Sequence, residues 1–196
     1  MKKRFYKILI QYIYIPFGTL LYIMVQKSSY TKTLEIFFQE PIKIHFIKEI
    51  SKNLKIAHTS IRNNIKQLLK ENLIIPKESR PFSGYTANRE NSEFIFLKRA
   101  YNFSSLFELK EYLEKTIYPK LAVVFGSYFL GEDIETSDID LLVISKLKNK
   151  IDLKTFEKNL KREINVLIIN DLKKIEKPIL NKIYNGFVIC GGFDLL

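Results

Sequence analysis

The chain is short of thiols and imidazoles. Its 196 residues include one cysteine, Cys190, which excludes an internal disulfide and fits a reducing compartment. Its two histidines, His45 and His58, have no cysteine partners at zinc spacing, so no structural zinc is expected. Acidic residues are also scarce. Asp and Glu number 21 against 32 Lys and Arg, leaving a net charge of +11, which points to a polyanionic partner or surface. The deficit lies early in the chain: residues 1–118 hold 20 basic and 10 acidic residues, and residues 119–196 hold 12 and 11. At 46% hydrophobic and 27% charged, the composition is that of an ordinary globular chain with room for one or two small cores.

Long apolar runs are rare too. The notable one is Ile8 to Val25, 18 residues at the short limit for a membrane span, interrupted by Gln11, Pro16 and Gly18. A basic stretch, Met1-Lys-Lys-Arg-Phe-Tyr-Lys, precedes it, and no small-x-small cleavage site is clear before Ser28-Ser29. This leader, residues 1–29, has three readings: a membrane anchor with its basic end inside, an extra packing element, or a segment ahead of the natural start at Met24. A peripheral segment or a later start is preferred, because export would separate the chain from nucleotides and DNA. The expected location is cytoplasmic.

The rest of the chain is organised around Leu121 to Ser145. An apolar run, Leu121 to Phe125, meets Gly126-Ser127; a polar loop leads to Ser137-Asp138-Ile139-Asp140; a second apolar run, Leu141 to Ile144, follows. Short apolar runs bounded by Gly and polar residues read as buried strands. Side chains alternate along a strand, so Asp138 and Asp140 share a side with Cα atoms about 6.5–7 Å apart. Two carboxylates so placed call for a divalent cation between them. Opposite them Gly126 lets the backbone approach an anion, and Ser127 adds a hydroxyl donor. A plain turn between two strands, with Asp138 as a cap, is the simpler alternative.

Gly126-Ser127, ten residues, then Asp138-x-Asp140 resembles the signature of the DNA polymerase β-type nucleotidyltransferase superfamily in its minimal form, and Gly131 stands where small members carry a glycine. The resemblance implies an α/β (α+β) fold, one sheet covered by helices, over residues 119–196. It implies Mg²⁺ on Asp138 and Asp140 and an NTP, ATP in the first instance, held by Gly126 and Ser127. It also implies a third carboxylate on the strand Ile164 to Ile169. There the chain offers Asn165, with Glu163 one pleat earlier on the same face; Glu163 is the candidate third catalytic residue beside Asp138 and Asp140, or else a helix-end residue in a surface ion pair. Small members also place Arg or Lys after Gly-Ser, where this chain has Tyr128, Phe129 and Leu130. Phosphate would then rely on backbone N–H groups, Ser127, the metal, and Lys120 or Arg162.

Upstream, Thr33 to Gln39 reads as a helix stopped before Pro41. Phe46 to Leu54 and Thr59 to Glu71 read as two more, with Ile47, Ile50, Leu54 and Ile61, Ile65, Leu68 on their inner faces. Joined by Lys55-Ile56-Ala57, they form a helix-turn-helix. The outward face of the third helix carries His58, Thr59, Arg62, Asn63 and Lys66, residue types that contact base edges and phosphates. Leu73-Ile-Ile starts a strand and Tyr85 to Leu97 returns, so residues 30–100 resemble a winged helix with Lys77, Arg80 and Arg89 on or near the wing. Dimerisation or scaffolding is the alternative use. A connecting helix, Ser104 to Lys115 within residues 101–118, completes a pattern similar to microbial proteins that fuse a winged helix to a minimal nucleotidyltransferase domain.

Three functions fit. One is an Mg²⁺-dependent nucleotidyltransferase that moves an NMP from an NTP to a protein, nucleic-acid or small-molecule acceptor while tethered to double-stranded DNA. Another is a DNA-binding transcription regulator whose domain senses nucleotide without turnover. The third is an antitoxin-like protein that modifies or caps a toxin. A homodimer is expected by analogy with winged-helix readers, although no dimer surface is legible.

Overall fold

Helix α1, Ser29–Gln39, begins where the Ser28 hydroxyl accepts the Thr31 N–H at 3.0 Å, four residues before the sequence pattern places it. The computed structural model describes residues 28–80, 83–147, 151–172 and 175–193; the expected leader, up to residue 27, lies outside the described residues. Leu34, Phe37 and Phe38 bury the inner face of α1, which stops before Pro41. Helices α2 (Ile47–Leu54) and α3 (His58–Lys70) follow, joined through Lys55 in the left-handed conformation at φ 54°. Ile50, Ile61, Ile65 and Leu68 are buried, as their helical spacing predicts. Asn64, also buried, donates to Thr33 Oγ1 at 3.0 Å and so ties α3 to α1.

Strands β1 (Ile74–Lys77) and β2 (Gly84–Ala87) form an antiparallel hairpin, and His45 exchanges backbone hydrogen bonds with Tyr85 alongside it. The returning strand is far shorter than the aromatic stretch Tyr85 to Leu97 suggests. Asn91 caps a helix by accepting the N–H groups of Glu93 and Phe94, and α4 runs Ser92–Ser105. The expected helix Ser104 to Lys115 is therefore two: α4, and α5 (Phe107–Ile117), which meet at Leu106. The Ser104 and Ser105 hydroxyls donate back to the Tyr101 and Asn102 carbonyls, competing with the helical ladder at that break. Phe94 belongs to the N-terminal core and Phe103 packs against the next one, so α4 is shared by both.

The second sheet has the order β5-β4-β3-β6. It comprises β3 (Leu121–Phe125), β4 (Ile139–Ile144), β5 (Ile164–Ile169) and β6 (Phe187–Gly191); β4 and β5 run parallel and the other pairs antiparallel. Between β3 and β4 lies the one-turn helix α6 (Gly126–Leu130); α7 (Lys154–Leu160) precedes β5, and α8 (Lys177–Tyr184), with Pro178 in its first turn, precedes β6. The central strands β3 and β4 are apolar on both sides because both faces are covered there. Ala122, Val124, Ile139, Leu141 and Val143 pack with Leu109, Leu113 and Ile117 of α5. Leu121, Val123, Leu142 and Ile144 pack with Ile183 of α8. This mixed α+β arrangement, a mixed sheet with helices, is consistent with the fold that the motif implied. Among the described residues no helix is long and apolar enough to cross a membrane.

Candidate active site

The site lies where β3 ends and β4 begins, on the face that α8 partly covers. Phe125 pairs with Asp140 across β3 and β4, and Asp140 pairs with Asn165 across β4 and β5. The register therefore sets Asn165 beside Asp140 on one face, and Asp138 and Glu163, each just ahead of its strand, line the same cleft.

Gly126 closes one wall. Its φ is 76°, and a Cβ added there would lie 2.5 Å from Asp140 Oδ2, so the turn is seated on the carboxylate and only glycine fits. Ser127 follows, half-buried, and among the described residues its hydroxyl has no hydrogen-bond partner. Gly131 ends α6 at φ 72°; a side chain there would strike Arg99 Cγ at 2.8 Å and Ile95 O at 2.9 Å, so this glycine lets α4 lie against the turn.

Burial pushes the Asp140 carboxyl above the usual carboxylate range; the charge of Asp138 pushes the same way, and Lys182 on α8 pulls it back. Asp138 is exposed, and the Asn165 side-chain amide donates to its Oδ2. Asn165 thus occupies the place of the expected third acid as a neutral donor. Among the described residues no cluster of three or more His, Cys, Asp or Glu side chains assembles. The set present is two carboxylates at mutual electrostatic cost, beside a turn cut to the shape of one of them. That donor set fits one hard divalent cation whose remaining positions go to water or phosphate oxygen.

Two expected cations are elsewhere. Lys120 immediately precedes β3, where its N–H bonds Ile144 O at 2.8 Å, a strand length or about 20 Å from the Gly126 turn. Arg162 is buried and committed: Nη2 donates to Gln39 O at 2.7 Å and reaches Asp133 Oδ2 at 3.4 Å. Lys120 is too distant to meet phosphate there, and both terminal nitrogens of Arg162 are engaged, leaving only its Nε without a partner. The cation whose charge reaches Asp140 is Lys182, which no sequence signal marked because only the packing of α8 brings it near. The position after Ser127 is apolar as read, although Arg99 of α4 stacks on Phe129 at 4.6 Å and donates to its carbonyl.

In the N-terminal part, His58, Thr59, Arg62, Asn63 and Lys66 are all exposed on α3, and Arg80 and Lys77 are exposed on the hairpin. Arg89 is not on it. Asn88 and Asn91 side chains anchor the following turn to the Asn72 carbonyl, and Arg89 Nη2 donates to Glu132 O at 2.9 Å, toward the second sheet.

No curated protein matches the chain. Residues 108–191, from the start of α5 to the end of β6 and including the whole Gly126–Asp140 turn, match the model of the family described as "Polymerase beta, Nucleotidyltransferase", and this part of the chain is similar to that family.

Proposed function

We propose that this domain binds an NTP with Mg²⁺ at Asp138 and Asp140 and transfers its NMP to an acceptor hydroxyl, while residues 29–87 act as a winged helix that holds the chain on duplex DNA. The seating of the Gly126 turn on Asp140, beside Asp138, carries the catalytic reading. Bound there, Mg²⁺ supplies charge neutralisation to the phosphoryl oxygens. Asp138 and Asp140 fix its position. Asn165 holds the Asp138 carboxylate in one orientation through its amide. Ser127 donates its hydroxyl to a phosphate oxygen at the glycine turn. Asn165 accepts no proton at neutral pH, so Glu163, which lines the same cleft as Asp138, is the carboxylate left to take the proton of the acceptor. The acceptor oxygen bonds to the α-phosphorus, the bond to the β-phosphate bridge breaks, and pyrophosphate leaves.

The test is label transfer from NTPs in Mg²⁺ with the full chain. Transfer or pyrophosphate release that disappears in Asp138→Ala/Asp140→Ala supports the enzyme. Saturable nucleotide binding with no release supports a second reading, a DNA-bound regulator that senses nucleotide. One observation favours that second reading: the neutral Asn165 stands where a third acid would complete the set.

A further inference from the structure

The loop that delivers Asp138 is gripped from outside its own sheet. Glu135 Oε1 accepts the backbone N–H groups of Ile42 and Lys43 at 3.0 and 2.8 Å. Arg89 holds the Glu132 carbonyl, and Asp133, fully buried, is held by Lys98 Nζ at 3.0 Å and Asn102 Nδ2 at 2.8 Å, both from α4. From the α7–β5 corner, Arg162 and Lys161 reach the carbonyl and side chain of Gln39. The contacts of Glu135, Lys161 and Arg162 converge on residues 39–43, at the end of α1 and in the link to α2. The Pro41 carbonyl in the same link accepts Thr86 Oγ1 at 2.8 Å and Ala87 N at 3.2 Å at the base of the hairpin.

The grip is not fully satisfied. Glu135 Oε2 and Arg162 Nε are both buried without a hydrogen-bond partner, and both residues line a cleft of about 390 Å³ that opens onto Asp138 and Glu163. Leaving a buried carboxylate oxygen unmatched is costly, so a shift of this joint that gives Oε2 a partner offsets part of what the shift disrupts. Glu135 is three residues from Asp138, and the intervening loop is short and closed on itself, with reciprocal bonds between Ile134 and Ser137. A movement of the link is therefore delivered to Asp138 with little chain to absorb it.

We propose that Glu135 is a positioning residue that couples the Asp138–Asp140 pair to the N-terminal helices, so that a cation on the acid pair tightens the link at Ile42 and Lys43, and a partner that moves the link changes cation affinity. The coupling is reciprocal by linkage. It rests on the reading of the acid pair as a cation site. It acts through the acceptor oxygen of Glu135 and not through its charge.

The experiment uses Mn²⁺ alone as the probe on the full chain, with binding measured by calorimetry and amide hydrogen exchange followed at Ile42 and Lys43. Saturable Mn²⁺ binding that is lost in Asp138→Ala/Asp140→Ala is expected, with exchange at both amides slowed by about fivefold or more. Glu135→Gln keeps an acceptor oxygen and removes the charge; it retains both responses, with affinity within about twofold of the parent. Glu135→Ala weakens Mn²⁺ by about fivefold or more and abolishes the exchange response. Equal weakening in the Gln and Ala variants makes Glu135 an electrostatic contributor and overturns the proposal, as does Mn²⁺ binding that leaves both amides unchanged. Absence of binding that depends on Asp138 and Asp140 overturns the cation site itself, an outcome distinct from failure of the joint alone.

Discussion

Replacing Asn165 with aspartate isolates what the third position contributes. Asn165 stands beside Asp140 in the parallel register and donates its amide to Asp138. Neighbouring strands lie about 4.8 Å apart, so a carboxylate at 165 faces that of Asp140 at about 5 Å. At that distance like charges repel by about 1 kcal/mol in water and about 3 kcal/mol at an effective dielectric near 20. Loss of the amide bond to the ionised Asp138 removes about 1.5–3 kcal/mol more. Metal-free Asn165→Asp is therefore expected to be less stable than the parent by about 3 kcal/mol or more, a fall of roughly 6–12 °C in melting temperature for a chain of this size. Mg²⁺ reverses the order, because three carboxylates hold a cation more tightly than two. Thermal melts in EDTA and in Mg²⁺ measure both effects, and label transfer in the same variant reports whether a base at 165 raises turnover. A metal-free melt identical to the parent, or a destabilisation that Mg²⁺ does not reverse, would refute the placement of a cation among these side chains.

Gly126→Ala adds a Cβ at 2.5 Å from Asp140 Oδ2 in a left-handed turn; it is expected to lose about 1–2 kcal/mol from backbone strain and to weaken Mn²⁺ by about tenfold or more, both read by calorimetry. Burial pushes the Glu35 carboxyl up to about 7, above its ordinary 4.5. The folded protein thus disfavours the charged form, a penalty absent below about pH 4.5 and complete above about pH 7. Glu35→Gln should stabilise by about 1–2 kcal/mol at pH 8, after allowance for partial exposure, and by nothing at pH 4; a pH series of denaturant melts checks it. If α3 contacts DNA, Arg62→Ala/Lys66→Ala lowers the slope of log affinity against log salt by roughly 2 in gel shifts, and a flat response in the parent would count against DNA binding.

The four-stranded sheet was legible because its strands are apolar runs with sharp polar ends. Ile139 to Ile144 and Ile164 to Ile169 are the strands observed. Helices α2 and α3 were legible from the spacing of Ile50, Ile61, Ile65 and Leu68. The stretch Tyr85 to Leu97 was not, since aromatic residues suit strand and helix alike; the cap at Asn91 decided it, and its effect is visible only once the backbone has turned. Sequence also set Asp138 with Asp140 and Glu163 with Asn165, because alternation within one strand is local, whereas the β4–β5 register brought the two pairs together.

Which cations serve those acids was not local. Arg162 seemed available by chain position, but folding placed it against Asp133 and Gln39; Lys182 carries no motif, yet α8 brings it to Asp140. The sequence by itself determined the strand-turn-strand that places two carboxylates beside a glycine turn, since covalent spacing and alternation suffice for that. Only the tertiary structure decided that Asn165 restrains Asp138, that Lys182 tempers Asp140, and that Glu135 ties the loop to residues 39–43. Each of those pairs groups far apart in the chain, and their meeting depends on how helices pack and strands align.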